Sequence, residues 1–262
     1  LPSVKIGGPC SSVAYYYRKN YQNLEHFTQF IDNTNCALDF YSFHVYDYLH
    51  WDRTKNDFTG RVTTGLPVAG VLDALNNYAV NTYGTEIKMV ISELGGYVSD
   101  NESKKMVESL GRIYFPGSGF EWDMQVKSIH DFIKVSSAIA NTMVFMDHPH
   151  MIEKAVPFII LESFGWDPQY GASLLVADNY TDKSNWYESE LVNFFQFFAG
   201  VDGRRVKGFC SDPDIQFHSF VNQNELLLVM NNMSNHSESL QFDIPDQDRI
   251  SKISVRRFGR QN

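Results

Sequence analysis

Apolar residues in this chain fall into short unbroken runs alternating with helical spacings, and change to period two only near residue 204. Val4, Lys5 and Ile6 predict a short strand that stops hard at Gly7-Gly8-Pro9, and the polar, tyrosine-rich residues 10–21 predict a loop. Leu24, Phe27, Phe30 and Ile31 recur at helical spacing and predict an amphipathic helix ending near Asn33 to Asn35. A strand follows at 38–44, with Leu38, Phe40, Ser42 and His44 on one face and Asp39, Tyr41 and Phe43 on the other. Residues 45–64 predict a loop long enough to be a functional candidate. The helix predicted over 66–83 carries Val68, Val71, Leu72, Leu75 and Ala79 along one face and closes at Gly84. Met89, Val90 and Ile91 form an apolar run without alternation, as in a strand covered on both faces, and it gives way to Ser92, Glu93 and the pair Gly95-Gly96.

The second half predicts a charged helix over 102–113 and a long helix over 123–146, with Val126, Ile129, Ile133, Ser136, Ala140 and Met143 on one face. A fourth apolar strand is predicted at 158–161, ending at Glu162, and a Phe-rich helix at 186–198. Alternating strands are predicted at 215–219, 226–230, 240–244 and 253–255. Strands alternating with helices predict an α/β fold with a parallel sheet over residues 1–203, and the period-two segments an antiparallel β module over 204–262.

With 262 residues, 43% hydrophobic, the chain can bury a large core. A formal net charge of −9, with no basic cluster beyond Arg256-Arg257, excludes a nucleic-acid partner. Cys10, Cys36 and Cys210 show no CxxC spacing, so neither a zinc site nor a disulfide scaffold is indicated, and no cofactor is predicted. No run approaches membrane-spanning length and residues 1–20 do not read as a signal peptide; starting at Leu1 without an initiator Met, the chain reads as processed or truncated. Aromatic residues make up 15%, and many Tyr and Trp sit in polar, glycine-containing stretches, where a flat ring with a hydrogen-bonding edge suits a sugar.

Chemistry in parallel α/β folds collects at the carboxyl ends of strands, which makes Glu93 the first candidate for nucleophilic or acid/base work. His44 ends a strand in the same sense, two residues before Tyr46. Trp51 and Trp166 follow strand ends and are candidates for stacking on a ligand, or else pack under loops. Glu162 also ends a strand and could pair with Glu93 in the two-carboxylate arrangement of glycosidic cleavage. His130, His148 and His150 lack metal-ligand spacing, and His148-Pro149-His150 predicts a surface helix end; no metal site is predicted.

V-K-I-G-G-P at 4–9, D-F-Y-S-F-H-V-Y at 39–46, V-I-S-E-L-G-G at 90–96 and the late strand leading to Trp166 resemble strands five to eight of the retaining glycoside hydrolases of clan A. The D-F-Y-S-F-H-V-Y-D-Y segment, the stretch from Pro149 to Phe158 and the following β module look most like glycoside hydrolase family 86, the β-agarases and β-porphyranases. The resemblance implies the carboxyl-terminal part of a (β/α)8 TIM barrel followed by a β-sandwich-type module. It also implies Glu93 as nucleophile, His44 and Tyr46 lining the cleavage subsite, and endo-acting, retaining cleavage of a red-algal galactan, agarose or porphyran. The acid/base Glu of this clan follows an Asn at the end of strand four, and no such pair precedes residue 93 in a strand-end context; it is expected in a missing amino-terminal half. The implied partner is a polysaccharide or oligosaccharide and the implied location secreted or cell-surface. A xylosidase or mannanase of the same clan, and a carbohydrate-binding half-barrel without catalysis, are the alternatives.

Overall fold

A computed structural model of the chain describes residues 4–61, 65–98, 100–115, 117–158, 173–177, 184–234, 236–245 and 250–259. Its main sheet is assembled around β2 (Phe40–Asp52), which pairs in parallel with the two-residue β1 (Gly7–Gly8) on one side and with β4 (Met89–Val98) on the other. β4 in turn pairs in parallel with β5 (Ile152–Pro157). The far half of β2 turns back as β3 (Asp57–Arg61), which pairs with it antiparallel. Lys5, ahead of β1, lies 3.0 Å from Glu153 on β5.

Helices α1 (Val13–Tyr21), α2 (Leu24–Asn33) and α3 (Leu66–Tyr83) pack on one another, while α4 (Asn101–Tyr114) and α5 (Phe120–Phe145) contact β2, α5 covering β4 and β5 as well. Local chemistry fixes the helix ends. Gly84 takes the left-handed conformation at the end of α3, its amide donating to Val80 O, and the Asp100 side chain accepts from Ser103 N at the start of α4. Asp32 accepts from the hydroxyls of Tyr78 and Tyr83 and ties α2 to α3.

Several predicted elements differ from those observed. Residues 4–6 form no strand: the Ile6 amide donates to the Asp39 side chain at 2.8 Å, and this substitution for a ladder bond delays pairing until Gly7. The predicted loop 10–21 contains α1, with Val13, Ala14 and Tyr16 buried and non-helical backbone from Arg18 through Asn20. Much of the predicted loop 45–64 is the β2–β3 hairpin, turned where the Asp52 carboxylate accepts from both the amide and the hydroxyl of Thr54. A strand forms at Ile152–Pro157, with exposed Glu153 and Lys154 interrupting its apolar run; Phe158 lies just past it, and 159–161, where most of the predicted fourth strand falls, lie outside the described residues. In place of a helix over 186–198, the chain forms β7 (Trp186–Glu188), paired with β6 (Leu175–Ala177), and then the shorter α6 (Val192–Phe198). Ser189 separates the two, its hydroxyl accepting from Leu191 N and its carbonyl from Val192 N.

The chain divides into two compact units at Val192/Asn193, ahead of the expected boundary at 203/204. Phe194, Phe195, Phe197 and Phe198 pack on one another and Arg256 donates to Gln196 O, which binds most of α6 to the second unit. In that unit β8 (Arg204–Val206), β9 (Ile215–Asn222) and β10 (Glu225–Asn232) form an antiparallel sheet in the order β10-β9-β8. The strands predicted at 240–244 and 253–255 do not form: Leu240, Phe242, Ile253 and Val255 stay exposed with no strand paired to them among the described residues.

The seat of α5 on β4 is made by Gly96, where an added Cβ would lie 2.7 Å from Ile133 O and 3.2 Å from Ser137 Cβ. Both obstacles belong to the helix, one of them to its backbone, so they cannot rotate away. Gly96→Ala is therefore expected to destabilise the first unit by about 1–3 kcal/mol, the usual cost of overpacking, read from the urea midpoint; an unchanged midpoint would mean that α5 is not held at this spacing.

Candidate active site

Register decides which side chains meet at the end of β4. Phe43 pairs with Ile91, but His44 pairs with Glu93, so Ser92 is an extra residue in β4. In an unbroken register Glu93 would stand opposite Val45, which is fully buried. The bulge instead turns the Glu93 carboxylate onto the face of His44 and Tyr46. The Tyr46 hydroxyl donates to Glu93 Oε2 at 2.8 Å, and His44 Nδ1 lies 3.5 Å from the same oxygen. Glu93 Oε1 accepts no hydrogen bond from the described residues. His44 and Glu93 keep about a quarter of their side-chain surface, 25 and 28%, which leaves the carboxylate open to a ligand.

Tyr46 stays a donor. Burial pushes its hydroxyl pKa well above the usual range, and the bond to Glu93 and the charge of that carboxylate push it further. Past Tyr46 the same face of the sheet presents a row of rings: Tyr46 to Tyr97 at 5.8 Å between centroids, Tyr97 to Tyr48 at 5.9 Å and Tyr48 to His50 at 6.0 Å. All of them are partly exposed. Such a row offers flat apolar faces with polar edges, the surface a sugar ring stacks on.

Two residues that the sequence marked only by type complete the group. Cys10 Sγ lies 2.8 Å from His44 Nε2 and 3.0 Å from Ser92 Oγ, carried there by the segment after β1, where Ser11 O accepts from His44 N. Cys10 is a free, exposed thiol. Its sequence signal was its place directly after the Gly-Gly-Pro stop, the same strand-end position that selected Glu93.

The other face of β2 and β4 receives α5; of the expected stripe Val126, Ala140 and Met143 are buried, Ile129 and Ile133 half-buried and Ser136 exposed, and Lys127, Asp131, Lys134, Ser137 and Asn141 are buried besides. Ser137 Oγ donates to Asp47 Oδ2 at 2.6 Å and to Gly95 O at 3.0 Å, and Asn141 Nδ2 reaches the same Asp47 oxygen at 3.4 Å. Lys127 Nζ lies 2.6 Å from Asp131 Oδ1, and Glu190 N donates to Asp131 Oδ2. Lys134 passes over Gly95, where an added Cβ would lie 3.4 Å from the lysine chain and 3.7 Å from the Tyr46 ring. Burial pushes Lys134 down to about 7, against the opposing charges of Asp131 and Glu93, and pushes Asp131 up to about 6 against Lys127.

Of the expected site residues, Glu93, His44 and Tyr46 come together. Trp51 does not join them: it lies on the opposite face of β2, edge-on to Phe58 at 5.2 Å, with its amide donating to Ser103 Oγ of α4. Glu162 and Trp166 lie outside the described residues. His148 is not at a surface helix end but buried after α5, between Val144 O and Asp73 Oδ1 of α3, each 3.1 Å away. Among the described residues no His, Cys, Asp or Glu cluster could hold a metal ion, and no helix is long and apolar enough to cross a membrane.

No protein-family profile matches the chain. It is 28% identical over 220 residues to the β-agarase AgaO of Microbulbifer thermotolerans, covering 78% of this chain and 17% of that protein. With the funoran endo-β-hydrolase of Wenyingzhuangia aestuarii it shares 25% identity over 251 residues, covering 93% of this chain and 31% of the relative. The solved structure of a β-porphyranase of glycoside hydrolase family 86 from Bacteroides plebeius superposes with a TM-score of 0.63 at 22% identity, over 88% of this chain and 37% of that one, and shows a shared fold. The chain is thus similar in sequence to β-agarases, a β-porphyranase and a funoran hydrolase, and in fold to a glycoside hydrolase of family 86. It spans 17–43% of the lengths of the curated relatives it matches.

The buried lysine sets a pH dependence of stability. Its pKa in the fold, about 7, is below the ordinary lysine value of 10.5, so the stability it contributes is present above about 10.5 and is lost as pH falls toward 7. Lys134→Met removes this loss: the variant should be more stable than wild type at pH 7, by about 2–4 kcal/mol, with the difference closing toward pH 10.5. Urea denaturation at pH 7, 8.5 and 10 measures it, and a difference constant across the series would rule out titration of Lys134 as the cause.

Proposed function

We propose that this chain is the carboxyl-terminal part of a (β/α)8 barrel, strands five to eight, from a retaining, endo-acting glycoside hydrolase that cleaves β-linkages in a red-algal galactan, with Glu93 as nucleophile. In this assignment β1, β2 and β4 are strands five to seven, and the antiparallel unit is an accessory β module. The observation that carries the proposal is the Glu93 carboxylate at a strand end, with Oε2 held by Tyr46 beside His44 and Oε1 accepting no hydrogen bond among the described residues. Agarase, funoran hydrolase and porphyranase relatives support the substrate class.

In the first step Glu93 Oε1 attacks the anomeric carbon, the glycosidic C–O bond breaks, and a second carboxyl group protonates the departing oxygen. In the second, that group takes a proton from water, whose oxygen displaces Glu93 and restores the carboxylate. Tyr46 transfers no proton in either step; it fixes the plane of the carboxylate, so the attacking lone pair is aimed before the sugar arrives. Sugar units on either side of the cleaved bond lie along the Tyr46, Tyr97 and Tyr48 rings.

Retention requires the second carboxyl group about 5–5.5 Å from the first. We assign it to polypeptide ahead of this segment, by analogy with the greater length of the relatives, and the protein to the cell exterior, where a polymer of this kind is met.

Reducing-end release from agarose, porphyran and funoran tests this in the longest polypeptide carrying these residues, in its Glu93→Gln variant and in residues 1–262 alone. The parent is expected to cut one of the three with retention, and Glu93→Gln to lower kcat by about 10⁴-fold or more. Hydrolysis by Glu93→Gln at the parental rate would exclude Glu93 as nucleophile. Hydrolysis by residues 1–262 alone would locate the acid within them, and Glu162→Gln would then be the variant to measure.

A further inference from the structure

Two neutral tautomers are open to His44, and its surroundings discriminate between them. Nδ1 lies 3.5 Å from Glu93 Oε2, while Nε2 lies 2.8 Å from Cys10 Sγ. With the proton on Nε2, the lone pair of Nδ1 would face the carboxylate and two electron-rich groups would repel. With the proton on Nδ1, that N–H points at Oε2, but Nε2 then needs a donor. The Cys10 S–H is that donor, and Ser92 Oγ, 3.0 Å from the sulfur and 3.4 Å from Phe43 O, shares its one proton between these two acceptors.

We propose that Cys10 is a positioning residue: its thiol donates to His44 Nε2, holds His44 in the Nδ1–H tautomer, and so aims a second donor, beside Tyr46, at Glu93 Oε2. The hydrogen bonds run in one direction, from Ser92 to Cys10 to His44 to Glu93. At 3.5 Å the last contact is long; it weakens as the carboxylate becomes an ester on attack and strengthens as the charge returns on release, so a donor here favours departure of Glu93 in the second step. The catalytic consequence depends on Glu93 acting as nucleophile, as proposed above; the tautomer does not.

Nitrogen-15 NMR of the imidazoles at a pH between the ordinary imidazole and thiol ranges, about 7.5, reads the tautomer directly, with His44 assigned by its loss in His44→Gln. In wild type Nδ1 should carry the pyrrole-type resonance and Nε2 the pyridine-type one. In Cys10→Ala the His44 pattern should move toward Nε2–H, and in Cys10→Ser, whose hydroxyl fits the same 2.8 Å separation and also donates, it should stay with wild type. Cys10 is exposed, so neither variant disturbs the core. A wild-type Nε2–H pattern, or a pattern unchanged in Cys10→Ala, would overturn the proposal. In the active parent polypeptide Cys10→Ala should lower kcat about three- to tenfold with KM little changed, and Cys10→Ser should restore it. Loss in both variants alike would mean that the sulfur acts otherwise than as a donor. Should Glu93→Gln retain hydrolysis while the tautomer responds to Cys10 as stated, the nucleophile assignment fails and the positioning role at this carboxylate stands.

Discussion

Everything near Glu93 depends on how closely the backbone of α5 can approach β4. The approach is possible because Gly95 and Gly96 present no side chains to the helix, and it is held by polar groups: Ser137 bonds both Asp47 of β2 and the carbonyl of Gly95. Two strands and one helix are thereby locked at a single junction, immediately after the candidate nucleophile. Rigidity there matters because a carboxylate aimed by one hydrogen bond from Tyr46 is only as well placed as the strand beneath it.

The same junction brings charge close to the site without exposing it. Lys134 runs over Gly95 toward Tyr46 and Glu93, while Asp131 and Lys127 sit in the same buried stripe. Burial disfavours the ionised forms of Lys134 and Asp131, and their mutual attraction recovers only part of that cost. A stripe of this kind gives α5 one acceptable orientation about its own axis: a modest rotation would leave Asp47 without the Ser137 bond and bury charges away from their partners.

That stripe also explains where the sequence was hard to read. Helical periodicity located α2, α3, α4 and α5 well, because a 3.6-residue repeat survives whatever the helix packs on. On α5 it found only part of the buried face: Val126, Ala140 and Met143 are buried as expected, but Lys127, Asp131, Lys134, Ser137 and Asn141 read as a solvent face although they are buried too. Glu93, His44 and Tyr46 were legible as strand-end polar residues. Their convergence rests on the extra residue Ser92, and a bulge leaves no mark in a pattern of apolar and polar positions. Cys10 was counted but not placed, since its partners are 34 and 82 positions away along the chain. The β2–β3 hairpin was read as a loop because rings and charges on an open edge lack the alternation of a half-buried strand.

The bulge at Ser92 has one more consequence. It divides β4 into two stretches that pair with the same strands in different phase: Met89 and Ile91 lie in the core, and from Glu93 on the register is shifted by one and the glycine pair meets α5. The extra residue is the joint between them. A carboxylate placed by register in this way depends on a single residue of phase: with no bulge at Ser92, Glu93 would pair with Val45 and face the core instead of the ligand.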